Sequence, residues 1–126
     1  MFNGADASDL MPLGVAIGLG VLLIATGLLL AVVAYRSRRG SLPRNWIVGI
    51  RSRTTLASDG AWDAAHRAAA PSLLAGAWGS IIAGVALLSR PSNGLGLAVT
   101  SIGLVWLLGW VLRGGYVCNR AARSIN

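Results

Sequence analysis

The chain has no lysine, one cysteine, one histidine and four acidic residues among its 126. A single cysteine excludes a disulfide within the chain and leaves Cys118 an unpaired thiol, expected on the reducing side of a membrane. One histidine and one cysteine fall short of the three or four ligands that zinc takes, so neither a metal nor another cofactor is expected. Charge is scarce as well. Charged residues make up 12% of the chain, where soluble domains carry about 25%. Acid–base pairs are missing too, since Ser58, Asp63 and His66 share one short segment without a nucleophile elbow, and an enzyme is not expected.

What the chain has instead is apolar length. It is 55% hydrophobic, with a mean hydropathy of +0.66. Three uncharged runs, 10–35, 71–89 and 94–112, take up 64 of the 126 residues. A hydrocarbon core ~30 Å thick needs about 20 apolar residues of helix, so each run is long enough to span. Lipid offers no hydrogen bonds to the backbone, which makes the runs helices. The expected fold is an all-α integral membrane protein of one domain, with three transmembrane helices, a motif-rich loop over 36–70 and a tail over 113–126. The leader over 1–9 carries Asp6 and Asp9 and no basic residue, unlike a signal peptide, so the first run is expected to remain as a spanning helix.

Arginine orients the bundle. Of the 11 arginines, seven lie between the first and second runs and three follow the third, while Arg90 alone sits in the short turn between the second and third. The positive-inside rule then places the N-terminus and the Arg90 turn outside, and the loop and C-terminus in the cytoplasm of a multi-pass plasma-membrane protein. The net charge of +7 is concentrated at membrane ends, which points to anionic headgroups rather than nucleic acid as the partner. No charge lies within a span, which argues against a transport pathway.

Small residues mark candidate helix contacts. Gly14 and Gly18 in the first run, and Gly76, Ser80 and Gly84 in the second, share helical faces that allow close backbone approach. Such faces serve packing within the chain or contact with a membrane-protein partner or a second copy. Trp106 and Trp110 share a face near the end of the third run, as in an aromatic belt.

The loop divides into two parts. Arg36, Arg38, Arg39 and Gly40 read as ordinary helix termination, with cations on the negative helix end and glycine in a left-handed cap. Pro43 disfavours helix at Leu42, and Trp46 is expected at headgroup level. A helix restarts at Ser58 or Asp59, with Trp62 and His66 on one face and Asp63 and Arg67 spaced for an ion pair. We expect a short interfacial helix here, ending in a bend at Pro71. His66 is expected to be a hydrogen-bonded structural or recognition residue.

Leu42-Pro43-Arg44-Asn45, Gly49-Ile50-Arg51, Thr55-Leu56, Trp62 and His66-Arg67, in this order and spacing, resemble the core motif of the SdpI family. Gly-Ile-Arg is often followed there by Thr-Pro, and here by Ser52-Arg53. The resemblance implies a non-enzymatic multi-span membrane protein with an immunity role against a secreted toxin, or a signalling role. It also implies Pro43, Arg44, Asn45, Gly49, Arg51, Thr55, Trp62, His66 and Arg67 as the functional positions. Arg44 and Arg51 suit lipid phosphates or the carboxylates of Asp59 and Asp63. These residues form either a folded plug that locks the bundle or a recognition site. The alternative function is an accessory subunit packed on a larger envelope or transport complex.

The arginine bias makes a direct prediction. A reporter fused after Asn126 should report the cytoplasm and one inserted at Ser92 the outside; both on one side would break the proposed hairpin of the second and third spans.

Overall fold

The computed structural model describes residues 9–42, 44 and 49–125. It is all-helical, with three long helices: α1 (Leu13–Arg39), α2 (Asp59–Leu88) and α3 (Asn93–Ile125). A 3-10 turn, Thr55–Ala57, precedes α2. All three helices are long and apolar enough to cross a membrane. The chain is therefore a multi-pass membrane protein.

Local chemistry explains the boundaries. α1 ends at Gly40, whose φ of 70° and ψ of 19° put it in the left-handed region. There the Ser41 N–H donates to the Arg36 carbonyl at 2.9 Å and the Gly40 N–H to the Ser37 carbonyl at 3.3 Å, the paired bonds that close a glycine-capped helix. α2 starts where Ser58 caps it, its Oγ accepting from the Ala61 N–H at 3.0 Å.

Two expectations change. The short interfacial helix and its bend at Pro71 are not separate features, because α2 runs unbroken from Asp59 to Leu88 with Pro71 inside it. Pro71 cannot donate to the Arg67 carbonyl one turn earlier, and its side chain is exposed. The tail over 113–126 is helical as well, since α3 continues from the third span to Ile125, with Cys118 and Ala122 buried.

α2 is the central element, packed against both α1 and α3. Of its most apolar stretch 44% is buried, compared with 22% for α1 and 11% for α3. The α1–α2 seam is made of small residues. Ala16, Gly20, Leu23, Gly27, Ala34 and Ser37 are buried along one stripe of α1, spaced by three, four or seven. A β-carbon at Gly20 would lie 2.9 Å from the Gly84 carbonyl oxygen, and one at Gly84 would lie 2.7 Å from that of Gly20. One turn on, Ser80 Oγ donates to the Leu23 carbonyl at 2.7 Å. Since lipid is as apolar as the side chains, this close approach and its hydrogen bond join the helices where burial alone would not.

On the other side of α2, Gly76 lies under Trp110, Gly79 under the Trp106 indole, and Ala83 against Gly103. Trp106 Nε1 donates to the Ala75 carbonyl at 2.9 Å, so this tryptophan joins two helices. Gly14 and Gly18 do not serve packing within the chain: a β-carbon at either meets nothing within 4 Å, so among the described residues they lie off the α1–α2 seam.

The end of the bundle opposite the motif loop is held by the chain itself. Met11 N–H donates to the Pro91 carbonyl at 2.9 Å, and Arg90 Nε donates to the Met11 carbonyl at 2.9 Å. Arg90 has a positive φ of 57°, which turns the chain from α2 into α3. The start of α1 and the α2–α3 turn therefore share one end, and the motif loop and the end of α3 share the other.

The seam predicts an asymmetry within α1. Gly20→Leu or Gly27→Leu should overpack the α1–α2 contact by about 1–3 kcal/mol and lower the melting temperature in mild detergent. Gly14→Leu and Gly18→Leu should leave it unchanged. Equal destabilisation at Gly14 and Gly20 would place the seam on the wrong face.

Candidate functional site

The site begins with two side chains one helical turn apart on α2. Trp62 and His66 are 2% and 1% exposed, and their rings stack with centroids 4.1 Å apart. A spacing of four places both on one face of α2, and that face looks back toward the loop. Each ring carries polar atoms that burial obliges to find partners. Trp62 Nε1 donates to the Leu42 carbonyl at 2.8 Å. His66 lies 2.8 Å from the Ile50 N–H through Nε2 and 2.8 Å from the Trp62 carbonyl through Nδ1.

Those two contacts determine the tautomer. The Ile50 amide can only donate, so Nε2 must accept, and the proton must sit on Nδ1, which donates to the Trp62 carbonyl. The ring is therefore neutral. His66 precedes the apolar span that begins at Pro71, and burial lowers its pKa from the usual 6.5 against the opposing pull of the Trp62 carbonyl and Asp63. Protonation would set an N–H against the Ile50 N–H.

Gly49 is required at the point of closest approach. Its φ is +111°, and a β-carbon there would lie 2.8 Å from His66 Nε2 and 3.0 Å from the Trp62 ring. Glycine is the residue that meets both the backbone angle and the space. Ile50 then carries the connection onward: its N–H goes to His66 and its carbonyl accepts from Thr55 Oγ1 at 3.0 Å. Thr55, itself buried, also accepts from the Ser52 N–H at 2.8 Å. Ser52 Oγ accepts from the Thr55 N–H at 3.1 Å and donates to Asn119 Oδ1 of α3 at 2.7 Å. Val33 and Ala34 of α1, and Cys118 and Ala122 of α3, complete the apolar surround. The loop is thereby tied to all three helices.

The charged motif residues lie outside this core. Arg44 is exposed, with Nε 3.2 Å from Asp59 Oδ1 and Nη1 donating to the Leu56 carbonyl at 3.0 Å. Arg67 Nε donates to Asp63 Oδ2 at 3.0 Å, the acid-before-base pair expected on α2. The Arg67 guanidinium also covers Gly40, where any β-carbon would collide with it. Arg51 is exposed. Pro43, Asn45 and Trp46 lie outside the described residues.

Several contributors were not singled out from sequence: the Leu42 carbonyl, Ile50, Ser52 and Asn119. Backbone groups carry no sequence signal of their own. Asn119 had one, because Cys118 and Ala122 are small residues four apart that mark a buried face of an extended α3. Cys118 is free and buried. Among the described residues no cluster of three histidine, cysteine or acidic side chains is placed to hold a metal.

A family model for the SdpI/YfhL protein family matches residues 41–113, more than half of the chain. The chain belongs to the SdpI/YfhL family. The match begins one residue before Leu42, takes in every member of the Trp62–His66 network up to α3, and ends just short of the Cys118–Asn119 closure. No curated protein and no solved structure matches the chain.

The network makes two predictions for the purified protein. His66→Ala should strand the buried Ile50 N–H and lower stability by about 1–3 kcal/mol; Gly49→Ala should cost a similar amount, about 1–3 kcal/mol, through backbone strain. A melting temperature unchanged by either would disprove the network. Because the folded state holds His66 neutral, the unfolded chain binds the extra proton. The stability His66 contributes should be fully present above pH 6.5 and fall progressively as pH drops below it, a slope that His66→Ala should flatten.

Proposed function

We propose that this SdpI-family protein acts without catalysis, as an immunity-type or signalling protein of the plasma membrane, with its loop and C-terminus in the cytoplasm. In this reading the Gly49–Ile50–Thr55–Trp62–His66 core is a structural plug, and the exposed arginines beside it, Arg51 and Arg53, meet the partner. One observation carries the proposal: both nitrogens of His66, the one histidine of the chain, are committed to hydrogen bonds within a buried network. A general base needs a free lone pair within reach of substrate, and here the lone pair is occupied by the Ile50 N–H. The charged motif residues Arg44 and Arg67 are held in turn by Asp59 and Asp63. So short a loop spends most of its polar groups on its own backbone, which favours a plug that presents a fixed outer surface.

Deleting the gene from its producer should sensitise cells to a secreted toxin, with protection restored by the full chain. Arg53→Ala should keep the melting temperature and weaken protection, whereas His66→Ala should lose both together. Recovery of a stoichiometric larger complex from gently solubilised native membrane, with toxin sensitivity unchanged on deletion, would overturn this reading in favour of an accessory subunit. A stable His66→Ala variant without protection would move the recognition site into the buried network.

A further inference from the structure

A groove of about 520 Å³ opens between α1 and α2 on the motif-loop side, separate from the buried network. Ala34 and Ala70 are buried within it, Pro71 and Leu74 are exposed along it, and Arg38 and Arg67 line its outer end. The lining changes character along the membrane normal. Ala34 belongs to the first apolar run, and Pro71 and Leu74 to the second. Arg38 and Arg67 lie just beyond those runs, where headgroups begin. Tyr35 stands at the boundary between the two parts.

The charge of the outer end is unbalanced. Arg67 is held by Asp63 through Nε, which leaves its remaining N–H groups available and its position set against Gly40. Arg38 is exposed and makes no ion pair or hydrogen bond among the described residues. Two guanidinium groups thus face one carboxylate at the mouth of an apolar slot. Guanidinium groups match phosphate oxygens in geometry as well as charge.

We infer that this groove is a binding site for one anionic phospholipid, with its phosphate between Arg38 and Arg67 and an acyl chain along Ala34, Ala70, Pro71 and Leu74. A zwitterionic lipid would fill the apolar part but gain little from the mouth. A free phosphate ion would satisfy the mouth and leave the slot empty. Basic pockets between membrane helices select headgroups through this combination of charge and depth. The site stands independently of the toxin or signalling reading, since it depends only on the α1–α2 groove.

The test uses the full chain in mild detergent, with lipid retention read by native mass spectrometry and by the rise in melting temperature on lipid addition. Phosphatidylglycerol should be retained over phosphatidylcholine by roughly ten-fold or more. Arg38→Gln/Arg67→Gln should abolish that preference, and Arg38→Gln alone, at a residue without a partner among the described residues, should reduce it with the lipid-free melting temperature unchanged. Arg120→Gln/Arg123→Gln removes equal charge elsewhere and should preserve the preference. Full retention by Arg38→Gln/Arg67→Gln, or an equal loss in the Arg120/Arg123 control, would overturn the site. Displacement of the lipid by millimolar glycerol phosphate would show that the mouth takes a soluble phosphate and would overturn the lipid assignment.

Discussion

The hydrogen bond from the Ile50 N–H to His66 Nε2 governs the loop end of this molecule. It pins a backbone amide of the loop to a side chain of the central helix, and it requires a neutral ring with its proton on Nδ1. From that requirement follows the rest of the network. Gly49 must bring the chain within reach of the ring, Thr55 must take up the Ile50 carbonyl, and Ser52 must carry the connection to Asn119 on α3. Trp62 stacks on the histidine and holds the Leu42 carbonyl on the other side. Each group is buried or partly so, and leaving any one unpaired would cost free energy that a small bundle has little margin to absorb.

The two ends of the bundle are closed by different means. At the loop end a polar network joins the loop to α2 and α3, with Val33 and Ala34 of α1 packed against it; at the far end Arg90 reaches the Met11 carbonyl and the backbone pairs across Met11 and Pro91. Between them the helices rely on glycine, alanine and serine rather than large apolar side chains. In lipid, helix association comes from close packing and hydrogen bonds, so Gly20 against Gly84 and Ser80 against Leu23 do what a leucine core does in water. The large side chains point outward instead. Val21, Leu22, Ile82, Leu97 and Val105 are among the exposed apolar residues, as suits a surface solvated by acyl chains.

In the reading proposed above, the motif that marks the SdpI/YfhL family is mainly a folding device in this chain. Gly49, Thr55, Trp62 and His66 act on one another, while Arg44 and Arg67 brace the loop and the α1–α2 junction from outside. Ser52 stands where threonine is more frequent, and it offers the same amide and hydroxyl: its N–H goes to Thr55 and its Oγ to Asn119. The outer face of the loop is left to exposed arginines, and the α1–α2 groove beside it combines arginine with an apolar slot.

The sequence by itself determined the spans, because twenty apolar residues without charge have one stable form in a bilayer. It also determined the Gly40 cap, the Ser58 start of α2 and the Asp63–Arg67 pair, each of which depends only on residues within a turn of one another. What it left undecided were choices between faces and partners. Gly14 and Gly18 matched a packing pattern as well as Gly20 and Gly27 did, and only the position of α2 chose the stripe through Ala16, Gly20, Leu23 and Gly27. Pro71 allowed either a bend or a continuous helix, and packing of α2 against both neighbours favoured continuity. His66 was legible as a structural histidine, but its partner was a backbone amide sixteen residues away, and any residue other than proline supplies that group. Tertiary structure decided these points because they depend on which surfaces meet, and local spacing cannot encode that.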